Sequence, residues 1–92
     1  MDLLLTPRDI ELLLSKRIRA ARKRRGWTQE QLAERAALGV ATVARIERDG
    51  RGQLSTLFQI AAALGHLRDF EALLKEPEPR TLEELRAQRG SR

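Results

Sequence analysis

Apolar residues recur at helical spacing in successive blocks along the chain. Ile10, Leu14, Ile18 and Ala21 fall on one stripe and predict a long first helix with that stripe buried, leaving Arg17, Lys23 and Arg24 outside it. Thr6-Pro7-Arg8-Asp9 reads as its start: Thr as N-cap, Pro where the missing N–H does no harm, and an acid in the first turn. Gly26 ends it. Thr28-Gln29-Glu30-Gln31 is a capping box that starts a second helix with Leu32, Ala33 and Ala36 turned inward. Ala37-Leu38-Gly39 interrupts the pattern for about one turn, and Val40 to Arg48 resumes it with Val43 and Ile46 on one face. Asp49-Gly50-Arg51-Gly52 is a loop by composition. Leu54-Ser55-Thr56-Leu57 then leads into a helix with Leu57, Ile60, Ala61 and Leu64 inward and Gly65 as its stop, and Phe70, Leu73 and Leu74 predict one more short turn.

Pro77 and Pro79 close the globular part. The expectation is an all-α, five-helix domain over residues 1–76 and a polar C-terminal tail over 77–92. Thr81-Leu82-Glu83-Glu84 is a further capping box in that tail, compatible with a brief helix carrying Leu82 and Leu85 or with a solvated segment. No internal repeat occurs, and strand-like alternation is missing except for ambiguous short apolar runs at the ends.

The balance of 41% hydrophobic and 34% charged residues suits a folded chain, and its small core favours association. The net charge of +5 is unevenly spread: seven of the ten residues from Lys16 to Arg25 are basic. Such a cluster attracts phosphate backbones by releasing condensed counterions, but a solvated helix face or a surface for an acidic partner has the same composition. With no Cys and a single His, His66, which is expected at the surface, there is no thiolate metal site, no disulfide framework and no clustered nucleophile and base. An enzyme, a metal and a cofactor are therefore not expected. The apolar run Leu3 to Leu5 is too short for a signal segment or a membrane span, and the chain suits the reducing cytoplasm.

Gly26-Trp27-Thr28-Gln29-Glu30-Gln31-Leu32-Ala33-Glu34-Arg35-Ala36, followed by Val43-Ala44-Arg45-Ile46-Glu47-Arg48, closely resembles the signature of the Cro/C1-type (XRE) helix-turn-helix regulators. The likeness spans residues from about 10 to 65 and implies a Cro/C1 repressor-like fold in which the third helix enters the major groove of operator DNA. By that resemblance Val40, Ala41, Thr42 and Arg45 face base edges. Thr28, Gln29, Gly39, Arg48, Arg51 and some of Lys23, Arg24 and Arg25 meet phosphates. Val40 and Ala41 lack hydrogen-bonding groups and would read thymine methyls, while Arg45 would take guanine O6 and N7 or a phosphate. The resemblance also pairs Glu47 with Arg22 structurally, and Trp27 is expected to pack over the helix junction rather than stack on a base. The turn carries Ala37 where the family usually has Gly, a departure that would cost on the order of 1 kcal/mol if Ala37 takes a positive φ.

Trp27-Thr28-Gln29, the Ala41-Thr42 pair and Leu54-Ser55-Thr56-Leu57-Phe58-Gln59-Ile60 further resemble HipB-like antitoxins. That likeness implies a homodimer that represses its own operon and binds a HipA-type kinase toxin. Phe58, Leu67 and Phe70 are the residues expected across the dimer axis, with Leu57 and Leu64 assigned to the monomer core. A stand-alone regulator of the same type, and a protein-interaction module that has kept the fold while losing its DNA role, are the rival readings.

Overall fold

The computed structural model describes residues 5–77 and 86, and all regular structure among them is helical. The order is α1 (Pro7–Arg24), α2 (Gln29–Ala36), α3 (Val40–Asp49), α4 (Leu54–Ala63) and α5 (Leu67–Glu71). The expected features of residues 78–85 and 87–92, the capping box of Thr81 included, and of Leu3 and Leu4 lie outside the described residues.

Local signals set the helix starts. At α1 the Thr6 hydroxyl accepts from the Asp9 N–H (3.1 Å) while the Asp9 carboxylate accepts from the Thr6 N–H (2.9 Å), a reciprocal box stronger than the lone cap the sequence suggests. Thr28 and Gln31 make the same exchange at α2, at 3.1 and 2.8 Å. The core gathers Ile18 and Ala21 of α1, Leu32, Ala33 and Ala36 of α2, Val43 and Ile46 of α3, and Ile60 and Leu64 around α4. Leu32, Val43 and Ile60 have no exposed surface. Alanine at 33 and 36 keeps the surface of α2 thin, which lets it pack against α3 and α4 at once.

Ile10 departs from expectation, with 39% of its surface exposed. Helix α1 is 18 residues long, against 10 each for α3 and α4. Leu12 and Leu13 are exposed as well, while Arg8 and Glu11 in the same stretch of α1 meet the C-terminal end of α3.

Helix ends are tied down from a distance. Arg8 Nη1 donates to the last carbonyl of α3, that of Asp49, at 2.6 Å. Gln59 Nε2 donates to the last carbonyl of α2, that of Ala36, at 3.0 Å. Arg25 Nη2 donates to the carbonyl of Leu64 at the end of α4. A donor satisfies an orphan carbonyl in each case, and at Asp49 and Leu64 an arginine charge also meets the negative end of a helix dipole. Among the described residues no helix is long and apolar enough to cross a membrane.

Candidate nucleic-acid interface

The turn between α2 and α3 fixes their mutual angle. Ala37 adopts φ 58°, ψ 44°, the left-handed conformation, and the Leu38 N–H closes back on the Ala33 carbonyl at 2.9 Å. Leu38 then drops its side chain against the core. Alanine thus performs in this turn what the resemblance assigns to glycine, with the strain of a Cβ in the left-handed region retained.

Helix α3 is sharply two-sided. Val43, Ile46 and Glu47 are buried, whereas Ala41, Arg45 and Arg48, at i, i+4 and i+7, are exposed together with Val40, which keeps 43% of its surface. Thr42 is half-buried at the edge of that face. Gly39 is the N-cap and offers no side-chain acceptor, so the first N–H groups of α3 are left to solvent or to an incoming acceptor. At α2 the capping box occupies the Gln31 N–H, leaving the donors of Gln29 and Glu30 beside the N-terminal positive pole, the arrangement that receives a phosphate.

Beneath this surface lies a buried ion pair. Arg22 Nε and Nη2 donate to the two oxygens of Glu47 at 2.7 and 2.9 Å, a bidentate contact, and Arg22 Nη1 reaches the Trp27 carbonyl at 2.7 Å. The hydrogen bond to Glu47 raises the guanidinium pKa above its ordinary value and outweighs burial, which acts the other way. Both residues are more than nine-tenths buried, and the pair bolts α3 to α1 and to the entry of α2. Gln29 Nε2 donates to Glu47 Oε1 at 3.2 Å, so one amide proton of a residue expected on phosphate is engaged internally. Its carbonyl makes no hydrogen bond with any other described residue.

Trp27 is half-buried against the core. The Arg35 guanidinium lies over its ring at 4.3 Å and that of Arg25 at 5.6 Å, so both are placed for cation–π contact. Arg35 belongs to the Gly26–Ala36 motif but carries no assigned role there, since its distance of eight residues from Trp27 gives no local signal. The Arg25 guanidinium donates to the Ala21 and Leu64 carbonyls and lies near the Trp27 ring, because the α4 C-terminus ends within its reach. Arg24 lines a groove between α1, α4 and α5 with Arg17. Lys23 is exposed on α1. Arg48 and Arg51 remain exposed, with loose contacts of 3.8 Å to Asp49 and 3.6 Å to Glu11.

The three residues expected at a dimer axis do cluster. Phe58 and Phe70 meet edge to face at 5.5 Å, and with Leu67, 46% exposed, they border a shallow pocket. Leu64 is buried in the monomer core and Leu57 is half-buried against it. His66 is at the surface, 3.0 Å from Asp69. Among the described residues no group of acidic or histidine side chains is placed to hold a metal.

The helix-turn-helix family matches residues 18–70, more than half of the chain. The immunity repressor protein of Bacillus phage phi105 is 49% identical over 55 residues, which are 59% of this chain and 38% of that relative. The chain thus corresponds to well under half the length of the relative. No solved structure matches it. With two helices joined by a tight left-handed turn, the second exposed along one face and bolted to the first helix of the bundle, and with the family match covering all of them, the chain belongs to the helix-turn-helix family in its Cro/C1 form.

Proposed function

We propose that this protein is a sequence-selective DNA-binding repressor that recognises operator DNA with α3. The observation that carries this is the exposed face of Val40, Ala41, Arg45 and Arg48 on a helix held rigid by the Arg22–Glu47 pair. Val40 and Ala41 contact thymine methyl groups, Arg45 takes a guanine edge, and Thr42 adds a contact at the rim. Thr28, Gln29 and Gly39 meet phosphates through helix N-termini, with Arg48, Arg51 and Lys23 adding charge. Few base-edge donors make affinity lean on phosphate contacts, so binding falls steeply with salt. A homodimer using Phe58, Leu67 and Phe70 sets two recognition helices roughly 34 Å apart on a palindrome. The protein acts in the cytoplasm, without catalysing a reaction.

The finer role is that of a HipB-like antitoxin, repressing its own operon and binding a HipA-type kinase toxin. It rests on the likeness of Trp27-Thr28-Gln29, Ala41-Thr42 and the Leu54 to Ile60 stretch. The apolar Val40–Ala41 surface favours a second reading, a protein-interaction module with residual DNA affinity.

Binding to a fragment of the protein's own promoter, against scrambled DNA of equal length at low and near-physiological salt, separates the readings. Selective binding that survives near-physiological salt supports the repressor, and equal, salt-quenched binding to both overturns it in favour of the module. Within selective binding, Arg45→Ala relaxes preference at one base pair, by about 1–3 kcal/mol, and Gln29→Ala weakens all sequences alike.

A further inference from the structure

Seven of the ten residues from Lys16 to Arg25 are basic, and the packed helices sort them into three sets. Arg22 and Arg25 donate to Glu47 and to backbone carbonyls. Arg17 and Arg24 border the groove between α1, α4 and α5, in a lining that also holds His66 and Asp69. Lys16, Arg19 and Lys23 remain, all exposed and, at i, i+3 and i+7, in one row on α1. We infer that this row is a track for the phosphate backbone of duplex DNA, holding the strand that flanks the base pairs met by α3 and adding affinity without sequence preference. The track rests on the reading of α3 as the DNA-recognising helix and adds Lys16 and Arg19, which that reading does not use.

Two contacts fix the side of α1 on which the row lies. Arg22, three residues beyond Arg19, is bonded to Glu47 of α3. Arg8, about three turns before Arg19 on the same flank, donates to the last carbonyl of α3, that of Asp49. The row therefore runs beside α3, whose own exposed bases are Arg45 and Arg48, with Arg51 in the loop that follows. Every acid of these two helices is engaged: Asp9 accepts from the Thr6 N–H, Glu11 from Arg8, Glu47 from Arg22 and Asp49 from the Arg51 N–H. Among the described residues none of Lys16, Arg19 and Lys23 makes an ion pair. Like charges at i, i+3 and i, i+4 repel. The negative pole of α1 offsets that repulsion for Lys23, in the last turn, whereas a line of phosphates offsets it for all three. Lys16 and Lys23 stand about 10.5 Å apart along the helix axis, about three of the 3.4 Å steps by which the phosphates of one strand advance. Three long, flexible heads in line suit a regular row of anions.

Fluorescence anisotropy of the full chain with the promoter fragment and with scrambled DNA of equal length, between about 50 and 200 mM salt, tests the inference. Lys16→Gln with Arg19→Gln is compared with Arg17→Gln with Arg68→Gln, exposed bases on the groove side of α1 and on α5, so that both variants lose the same charge. The row variant should lower the slope of log affinity against log salt by about 1.8 on both DNAs, losing roughly 12-fold less affinity than the wild type over that range. The comparison variant keeps the wild-type slope, and so does Lys16→Arg with Arg19→Lys. All four positions are exposed and Gln is a good helix former, so the helical circular dichroism is unchanged. An unchanged slope in the row variant, or equal changes in the two Gln variants, would overturn the inference. A loss confined to the binding of poly-glutamate would overturn it too, and would assign the row to an acidic protein. Equal binding of both DNAs by the wild type would sink the repressor reading instead, while the slopes would still decide on the row.

Discussion

Gly50, the C-cap of α3, packs closely against the backbone of α1, and replacing it measures how tightly α3 is held. A Cβ built at Gly50 would lie 2.1 Å from the Glu11 carbonyl oxygen and 2.6 Å from its carbonyl carbon, both backbone atoms, and φ there is +74°. Gly26 is an internal control: its φ is +72°, and a Cβ there meets nothing within 4 Å. Left-handed backbone costs an L-residue about 1–2 kcal/mol, offset by about 0.4–1 from a stiffer unfolded chain, so Gly26→Ala should destabilise by about 0.5–1 kcal/mol. Gly50→Ala carries the same backbone cost plus an overlap relieved only by moving α1 away. That movement strains the Arg8–Asp49 hydrogen bond and adds about 2–3 kcal/mol or more. Against a total stability of about 5–14 kcal/mol for a chain of this length, the expected loss of ~3–4 kcal/mol lowers Tm by roughly 12–30 °C. Urea unfolding followed by the fluorescence of Trp27, the single tryptophan, reads both variants in one assay. Equal destabilisation by the two alanines would refute the reasoning, because it would leave the close approach of α3 to α1 without consequence.

The converse change, Ala37→Gly, relieves left-handed strain in the helix-turn-helix turn and should stabilise by about 0.5–1 kcal/mol; a lower urea midpoint for the variant would show that the turn does not hold this conformation. Arg22→Ala strands the Glu47 carboxylate in the interior and should cost about 3–5 kcal/mol, most of it recovered when Glu47 is replaced by Leu as well. Calorimetry of the single and double variants checks this, and a double variant as unstable as Arg22→Ala would count against it. The hydrogen bond from Arg8, aided by the Arg51 charge, holds the Glu11 carboxyl below its ordinary value of 4.5 against the opposing effect of burial. The folded pKa thus lies under the unfolded one, so the stabilisation is complete above pH 4.5 and disappears as pH falls through the folded value. An NMR titration placing Glu11 at or above 4.5 would contradict the contact.

The helix starts were legible because capping is local: Thr6, Thr28 and their partners lie three residues apart, and a capping box forms wherever such a sequence enters a helix. Leu32, Ala33, Ala36, Val43 and Ile46 were legible as core for a similar reason, since helical periodicity puts them on one face whatever that face meets. The assignment of α3 residues to base edges came from the resemblance, and Val40, Ala41 and Arg45 are exposed.

The roles of the arginines could not be read along the chain. Arg22, Arg24 and Arg25 are near neighbours of one composition, yet one is buried on Glu47, one lines a groove and one caps α4. Ile10 continues a stripe that periodicity marks as buried, yet it keeps 39% of its surface exposed once the helices have packed. The sequence alone therefore determined where helices begin, which faces are apolar and which family motif joins them, because those depend on residues within a turn or two of each other. The tertiary structure decided which charges are spent inside the protein and which are left for a partner, because donors such as Arg8 and Arg25 find acceptors 41 and 39 residues away, brought near only when the helices pack.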